Sequence, residues 1–388
     1  MVGAAVLGLG AAEAAAPAPT IRGPRTTTDR TPTFRFSWGS RRAVRFACSI
    51  DTQRLKPCAS VYTPRLSVGR HVLRVRAADR RGHRSAIAKR VISVRRAGPR
   101  VRATVRTGGL PWGIADAGGS LWVADFQGRV IRIDPGTARV SGSVSIGGGT
   151  GLVTAGPAEV WATSFLENGI SRIDVGAGRV SATAAVGPGP GSLVFAFGSI
   201  WVANKGCTDP AAPCPGAGTL ARLDPATMAV VATIPVGREP RYLAAGGGAM
   251  WVTNFYSDTL LRIDPATNAV TATVGLPGHP NGVAVSDDSV FVAGYEADRI
   301  WRFDISSLRQ TAAIRLPGGS GPEGIGLVGA DLWTANARGG SVSRVRTTAN
   351  RLLSTTPVGL EPRALAFAAG SVWVTNLRSG TVSRVTAG

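Results

Sequence analysis

Beyond residue 100 the chain consists mostly of short β-rich runs, many alternating apolar and polar residues, separated by clusters of Gly, Pro, Asn and Asp. Such runs predict strands joined by tight turns. One run recurs around a bulky aromatic: Trp122, Trp161, Trp201, Trp251, Phe291, Trp333 and Trp373 stand 39 to 42 residues apart, save one interval of 50. A period near 40 with four short strands per unit predicts an all-β ring of sheets, a β-propeller. The long interval holds an insertion rich in turn formers with Cys207 and Cys214 near its ends.

Four strands, a to d outward from the ring axis, fit each unit; in the fourth they are expected at 242–245, 249–253, 259–263 and 270–274. The chain stops after a third strand at 381–386, and residues 101–107 match the pattern of an outer strand. An N-terminal strand completing the C-terminal unit leaves no open sheet edge, so seven blades are expected.

The first hundred residues differ. Residues 1–20 run from an apolar stretch into small residues, which predicts an export segment lacking its basic start; the competing reading is an Ala/Pro-rich tail. Residues 21–96 hold β-rich runs that predict a small sandwich, and 97–388 the propeller. No segment past the first twenty residues approaches the ~20 apolar residues that a membrane-spanning helix needs. Cys48 lies near Cys58 and Cys207 near Cys214, so two local disulfides in an oxidising compartment are expected. Neither pair has Cys-x-x-Cys spacing, which weighs against a metal site. Net charge is +21, with 21 Lys/Arg against 4 Asp/Glu in residues 1–100 and 23 against 19 in the remainder. That asymmetry points to an anionic cell-surface polymer as a partner of the N-terminal module, or simply to a composition that favours Arg.

The stretches 26–34, 46–51, 56–58 and 69–79 resemble the Ig-like repeats of secreted actinobacterial proteins. That likeness implies a spacer; Cys48 and Cys58 stand too close in sequence for the inter-sheet bridge of antibody domains and are expected to staple one hairpin or loop. The segments LLRIDPATNAVTATV at 260–274 and GSVWVTN at 370–376 resemble the YVTN and streptogramin-lyase-like (virginiamycin B lyase-like) propeller superfamily. The lyases of that group imply a His general base, acidic groups and Mg2+, and a motif ending in Glu. At the matching positions stand Asp125, Ser164, Asn204, Asn254, Gly294, Asn336 and Asn376, and the ring's one histidine is His279.

Equivalent offsets locate a candidate site. Ten residues before each aromatic come Trp112, Gly151, Gly191, Arg241, Asn281, Glu323 and Arg363, six of them preceded by Pro. Four residues after it come Phe126, Phe165, Lys205, Phe255, Tyr295, Ala337 and Leu377. Both sets are expected on one face of the ring, where Trp112, Phe126, Phe165, Phe255, Tyr256 and Tyr295 with Lys205, Arg241, Arg363 and Arg378 would form an aromatic, cationic rim. The competing reading is that each ring caps its own blade. For catalysis the candidates are His279 and Glu296, with Glu323 and Glu239 nearby; a solvated turn histidine is the alternative. Arg132, Arg172, Arg222, Arg262, Arg302, Arg344 and Arg384 repeat in all seven units and are expected to be scaffold.

The function expected is that of a secreted or cell-wall-associated monomer, not an enzyme, binding a small molecule, glycan or protein partner on the rim, without a cofactor. The alternatives are a Mg2+-dependent lyase acting on a cyclic depsipeptide and a nucleic-acid-binding propeller.

Overall fold

The computed structural model describes residues 16–39, 44–95, 98–209 and 214–386. The export segment expected at 1–20 lies outside the described residues as far as residue 15. The chain divides into two compact units, one ending at Gly98 and one running Pro99–Ala387.

In the N-terminal unit, a three-stranded sheet of Thr20–Arg22, Phe34–Ser37 and Val61–Tyr62 accompanies a five-stranded sheet that contains Arg45–Ile50, Gly69–Ala78 and Ala88–Val94. Alternation sends Phe34, Phe36, Phe46, Leu73, Val75, Ile92 and Val94 into one apolar cluster. This unit takes in residues before 21, since Ala86 N donates to Ala16 O at 2.9 Å and Trp38 Nε1 to Pro17 O at 2.6 Å. Cys48 and Cys58 are joined on the paired strands Arg45–Ile50 and Lys56–Cys58, and Cys207 is joined to Cys214.

The second unit is a ring of four-stranded antiparallel sheets, seven among the described residues. Their inner strands are Pro111–Ala117, Thr150–Ala155, Pro190–Ala196, Pro240–Gly246, Pro280–Val285, Pro322–Val328 and Pro362–Ala368. Each packs against the next, and the first against the last. In the last sheet the outer strand is Val101–Arg106, paired with Thr381–Thr386.

The repeated tryptophans form the core between sheets: Trp122, Trp161, Trp201, Trp251, Trp333 and Trp373 are at most 1% exposed. Several indole N–H groups donate to the last residue of their sheet's inner strand, as Trp251 does to Gly246 O at 3.1 Å. Five of the repeated arginines lie over these rings, with Arg222 Cζ 4.9 Å from the Trp201 centroid, while Phe195 stacks on Trp161 instead. Arg222 also donates to Ser199 Oγ at 2.9 Å and reaches Asn268 Oδ1 in the next sheet at 3.0 Å. Arg172, Arg222 and Arg302 in this way clasp one sheet to the next, on the face away from the rim.

Candidate functional site

Every inner strand shifts register immediately after its first residue, as between Pro111 and Ile114. This bulge re-aims the following residue toward the axis. Threonines of the second strands fix it: Thr375 Oγ1 donates to Trp112 O at 2.7 Å, Thr163 Oγ1 to Gly191 O at 3.0 Å and Thr253 Oγ1 to Asn281 O at 2.5 Å. Trp112, Gly151, Gly191, Arg241, Asn281, Glu323 and Arg363 are thereby gathered at one mouth of the ring.

Their side chains divide that mouth in two. Over sheets four to seven it is filled by charge. Arg363 Nη1 lies 2.7 Å from both oxygens of Glu323, and its Nη2 bonds Glu361. Arg378 Nε meets the other Glu361 oxygen at 2.5 Å, and Arg241 Nη2 meets Glu239 at 2.5 Å. Across the ring, Tyr242 Oη donates to Arg363 O at 3.3 Å. Burial, then the Glu323 carboxylate, pushes the Tyr242 phenol well above its usual range, so it acts as a hydrogen-bond donor.

Over sheets one to three, Gly151 and Gly191 carry no side chain and the mouth stays open. The pocket there is lined by Trp112, Phe126, Phe165, Lys205, Arg241 and Tyr242, with about 40 Å³ open to the centre of a water molecule. Trp112 and Phe126 lie 5.5 Å apart between ring centroids. Lys205 passes over Gly191, where an added Cβ would stand 3.4 Å from its Cε. Its Nζ lies 5.4 Å from the Phe165 centroid and 3.7 Å from Glu239 Oε1. Burial, and after it the Arg241 charge, lowers the Lys205 pKa to about 8.

The aromatic residues expected as one rim therefore do two different things. Trp112 and Phe126 face the pocket, and Phe165, 4% exposed, backs it. Phe255, 7% exposed, is sealed between Arg241 at 4.3 Å and the His279 ring stacked at 4.5 Å, with Tyr256 and Tyr295 against its edges. Asn281 is buried at 1% exposed and does not face solvent.

The grouping of His279 with Glu296, Glu323 and Glu239 requires correction. Glu323 and Glu239 are held by Arg363 and Arg241, and Glu296 is exposed. The acidic neighbour of His279 is Asp258, 3.5 Å from Nδ1, whose Oδ1 also accepts the His279 backbone N–H at 2.9 Å. Nδ1 lies 3.0 Å from the Phe255 carbonyl, a contact that places its proton there and leaves Nε2 basic. The positions matched to the end of that motif are buried here, and those that carry Asn lock turns: Asn254 Nδ2 donates to Thr259 Oγ1 at 3.0 Å and Asn376 Nδ2 to Thr381 Oγ1 at 3.1 Å. The donor set does not fit Mg2+: Glu239, Glu323 and Glu361 are spent on arginines, and no metal-holding cluster of His, Cys, Asp or Glu occurs among the described residues.

Sequence offsets missed Tyr242. A signal was present: the equivalent positions are Gly113, Leu152, Ser192, Gly282, Gly324 and Ala364, all smaller. At Gly282 and Gly324 an added Cβ would collide with the carbonyl of Glu323 or Arg363 on the next inner strand, so a tyrosine among such residues marks a special position.

No family model matches the chain, and no curated protein matches it. Among solved structures it is similar to virginiamycin B lyase from Staphylococcus aureus, with TM-score 0.61 and 16% identity over 73% of this chain and 98% of that one. A catalytically inactive form of that lyase with quinupristin gives TM-score 0.62 and 18% identity over 72% and 96%. Hydrazine synthase from Kuenenia stuttgartiensis gives TM-score 0.57 and 15% identity over 72% and 95%. The fold is that of the streptogramin-lyase-like propellers.

Proposed function

We propose that this chain is a seven-bladed propeller that binds a small, flat ligand in the off-axis pocket without transforming it. One observation carries the reading: two inner strands lacking side chains, at Gly151 and Gly191, open an aromatic-walled pocket in a ring otherwise closed by ion pairs. Trp112 and Phe126 supply faces for stacking, and Lys205 and Arg241 supply cations beside them. The two disulfides suit an extracellular setting, and no helix among the described residues is long and apolar enough to cross a membrane. The N-terminal unit is read as an Ig-like spacer. Arg74 and Arg76 stand half-buried on one face of Gly69–Ala78 without ion pairs among the described residues, which supports an anionic polymer as the partner of that face.

A second reading, elimination across a depsipeptide ester, draws on the free Nε2 of His279 as base. Heat unfolding against glycans, aromatic acids and alcohols, and streptogramins tests both. A ligand at 100 times its Kd adds about 2.7 kcal/mol of stability. A gain lost in Trp112→Ala supports the pocket. Turnover of a streptogramin that His279→Ala abolishes would replace binding by lyase chemistry.

A further inference from the structure

We propose that Lys205 captures small aromatic aldehydes as an imine inside this pocket, an inference that rests on the pocket being the ligand site.

The residue type is the first observation. The chain writes 41 of its 44 basic residues as Arg; its three lysines are Lys56, Lys89 and Lys205. Lys56 and Lys89 are exposed in the N-terminal unit, so Lys205 is the only lysine of the ring. Where a cation alone is needed at this mouth, the chain uses Arg241, Arg363 and Arg378. Arginine cannot offer a free amine at neutral pH, and lysine can.

The geometry is the second. The Lys205 side chain is 15% exposed, its stem crosses bare Gly191, and the residue lines the cavity with Trp112, Phe126 and Phe165. No hydrogen bond within the described residues holds that Nζ; Glu239, at 3.7 Å, is its nearest carboxylate and is already committed to Arg241. An amine so desolvated, with a pKa lowered to about 8, is half neutral at mildly basic pH.

The chemistry balances without a co-reactant. The ammonium proton leaves to solvent at the open mouth of the pocket. The nitrogen lone pair then forms a C–N bond to the carbonyl carbon as the C=O π electrons move onto oxygen, and one N–H proton passes from nitrogen to that oxygen, giving a carbinolamine. Loss of the second amine proton with the hydroxyl releases water and leaves C=N. Arg241 beside the pocket steadies the developing oxyanion. An aromatic aldehyde fits because Trp112 and Phe126 offer ring faces beside the amine.

The test uses the full chain, benzaldehyde and cyanoborohydride at pH 8, with peptide mapping of the three lysines. Lys205 should be labelled on the order of tenfold faster than Lys56 and Lys89, because a lysine of ordinary pKa holds far less free amine at that pH. Its rate should saturate with benzaldehyde, and Gly191→Val, which displaces the Lys205 stem, should slow it while leaving Lys56 unchanged. Labelling of Lys205 no faster than of Lys56, or a rate that rises linearly without saturation, overturns the proposal. Benzyl alcohol, which keeps the ring and lacks the carbonyl, is the second probe. A heat-unfolding shift with it but no Lys205 adduct overturns imine capture and leaves the binding pocket standing; absence of both overturns the two together.

Discussion

Arg363 places one guanidinium nitrogen 2.7 Å from both carboxylate oxygens of Glu323, which joins the inner strands of adjacent sheets through a pair that is almost wholly buried. Glu323 is 1% exposed, so removing it leaves Arg363 charged in a desolvated channel with Glu361 alone to balance it. Breaking a buried pair from one side costs about 3–5 kcal/mol, and the residual Glu361 contact places Glu323→Ala near the lower end. Urea unfolding of the variant measures it. A loss below about 1 kcal/mol would mean that water reaches the pair far more freely than its burial implies.

The turn at Phe197 and Gly198 is strained by its first residue. Both have left-handed φ, +50° and +67°, in a two-residue hairpin loop closed by the Ala196 and Ser199 pair. Equivalent turns place Gly118 and Gly247 at that first position, with φ of +55° and +57°. Phe197 is 43% exposed, so little packing is lost on replacing it. Relief of the left-handed penalty, less the added freedom of glycine in the unfolded chain, predicts that Phe197→Gly stabilises by about 0.5–1 kcal/mol. An upward shift of the urea midpoint checks this; a downward shift would show that the exposed ring makes contacts of its own.

The architecture was legible because its signals are local and repeated. Trp122 and its equivalents announce the period, and the match of 101–107 to an outer strand anticipated the pairing of Val101–Arg106 with Thr381–Thr386. The site was less legible because equal offset does not mean equal exposure. Phe126 and Phe255 occupy the same position in their sheets, yet the bare Gly151 leaves space near one while Arg241 and His279 cover the other. The partner of His279 was missed for a related reason. Asp258 sits in a turn 21 residues earlier, and only the ring brings its carboxylate to the histidine, while two of the glutamates grouped with it by their place on the rim turns are taken up by arginines, Glu323 by Arg363 on the next inner strand and Glu239 by Arg241 two residues on.

In the N-terminal unit, His71 and Asp51 form a pH-sensitive pair, with Nδ1 2.9 Å from Oδ2. The hydrogen bond to Asp51 raises the His71 pKa, and the bond to His71 lowers that of Asp51. A raised histidine stabilises the fold below its unfolded value near 6.5 and loses that contribution as pH climbs through the folded value. A lowered carboxylate stabilises above about 4 and loses its contribution as pH falls through its folded value. This unit should therefore be most stable between roughly pH 4 and 6.5. Thermal unfolding against pH should show that maximum, and Asp51→Asn should flatten it; an unchanged profile in the variant would assign the dependence to other groups.

Closure of the ring by Val101–Arg106 makes the last prediction. That strand pairs with Thr381–Thr386 in a register that sets Val105 against Val382, and Thr107 bonds the Gly380 carbonyl through both N–H and hydroxyl at 3.0 Å. Val105 is 6% exposed and packs with Trp373 and Val382. A chain beginning at Thr107 would lose the burial of that valine, about 2 kcal/mol, and would expose the unpaired N–H and C=O groups of 381–386 as an open edge. Both effects point one way: a lower urea midpoint and concentration-dependent association in size-exclusion chromatography. A peptide spanning 99–107, added in trans, should reverse both by refilling the edge. A shortened chain that stayed monomeric with an unchanged midpoint would show that the strand only decorates a ring held shut by its inner strands, because edge pairing and apolar burial are lost together at this one place.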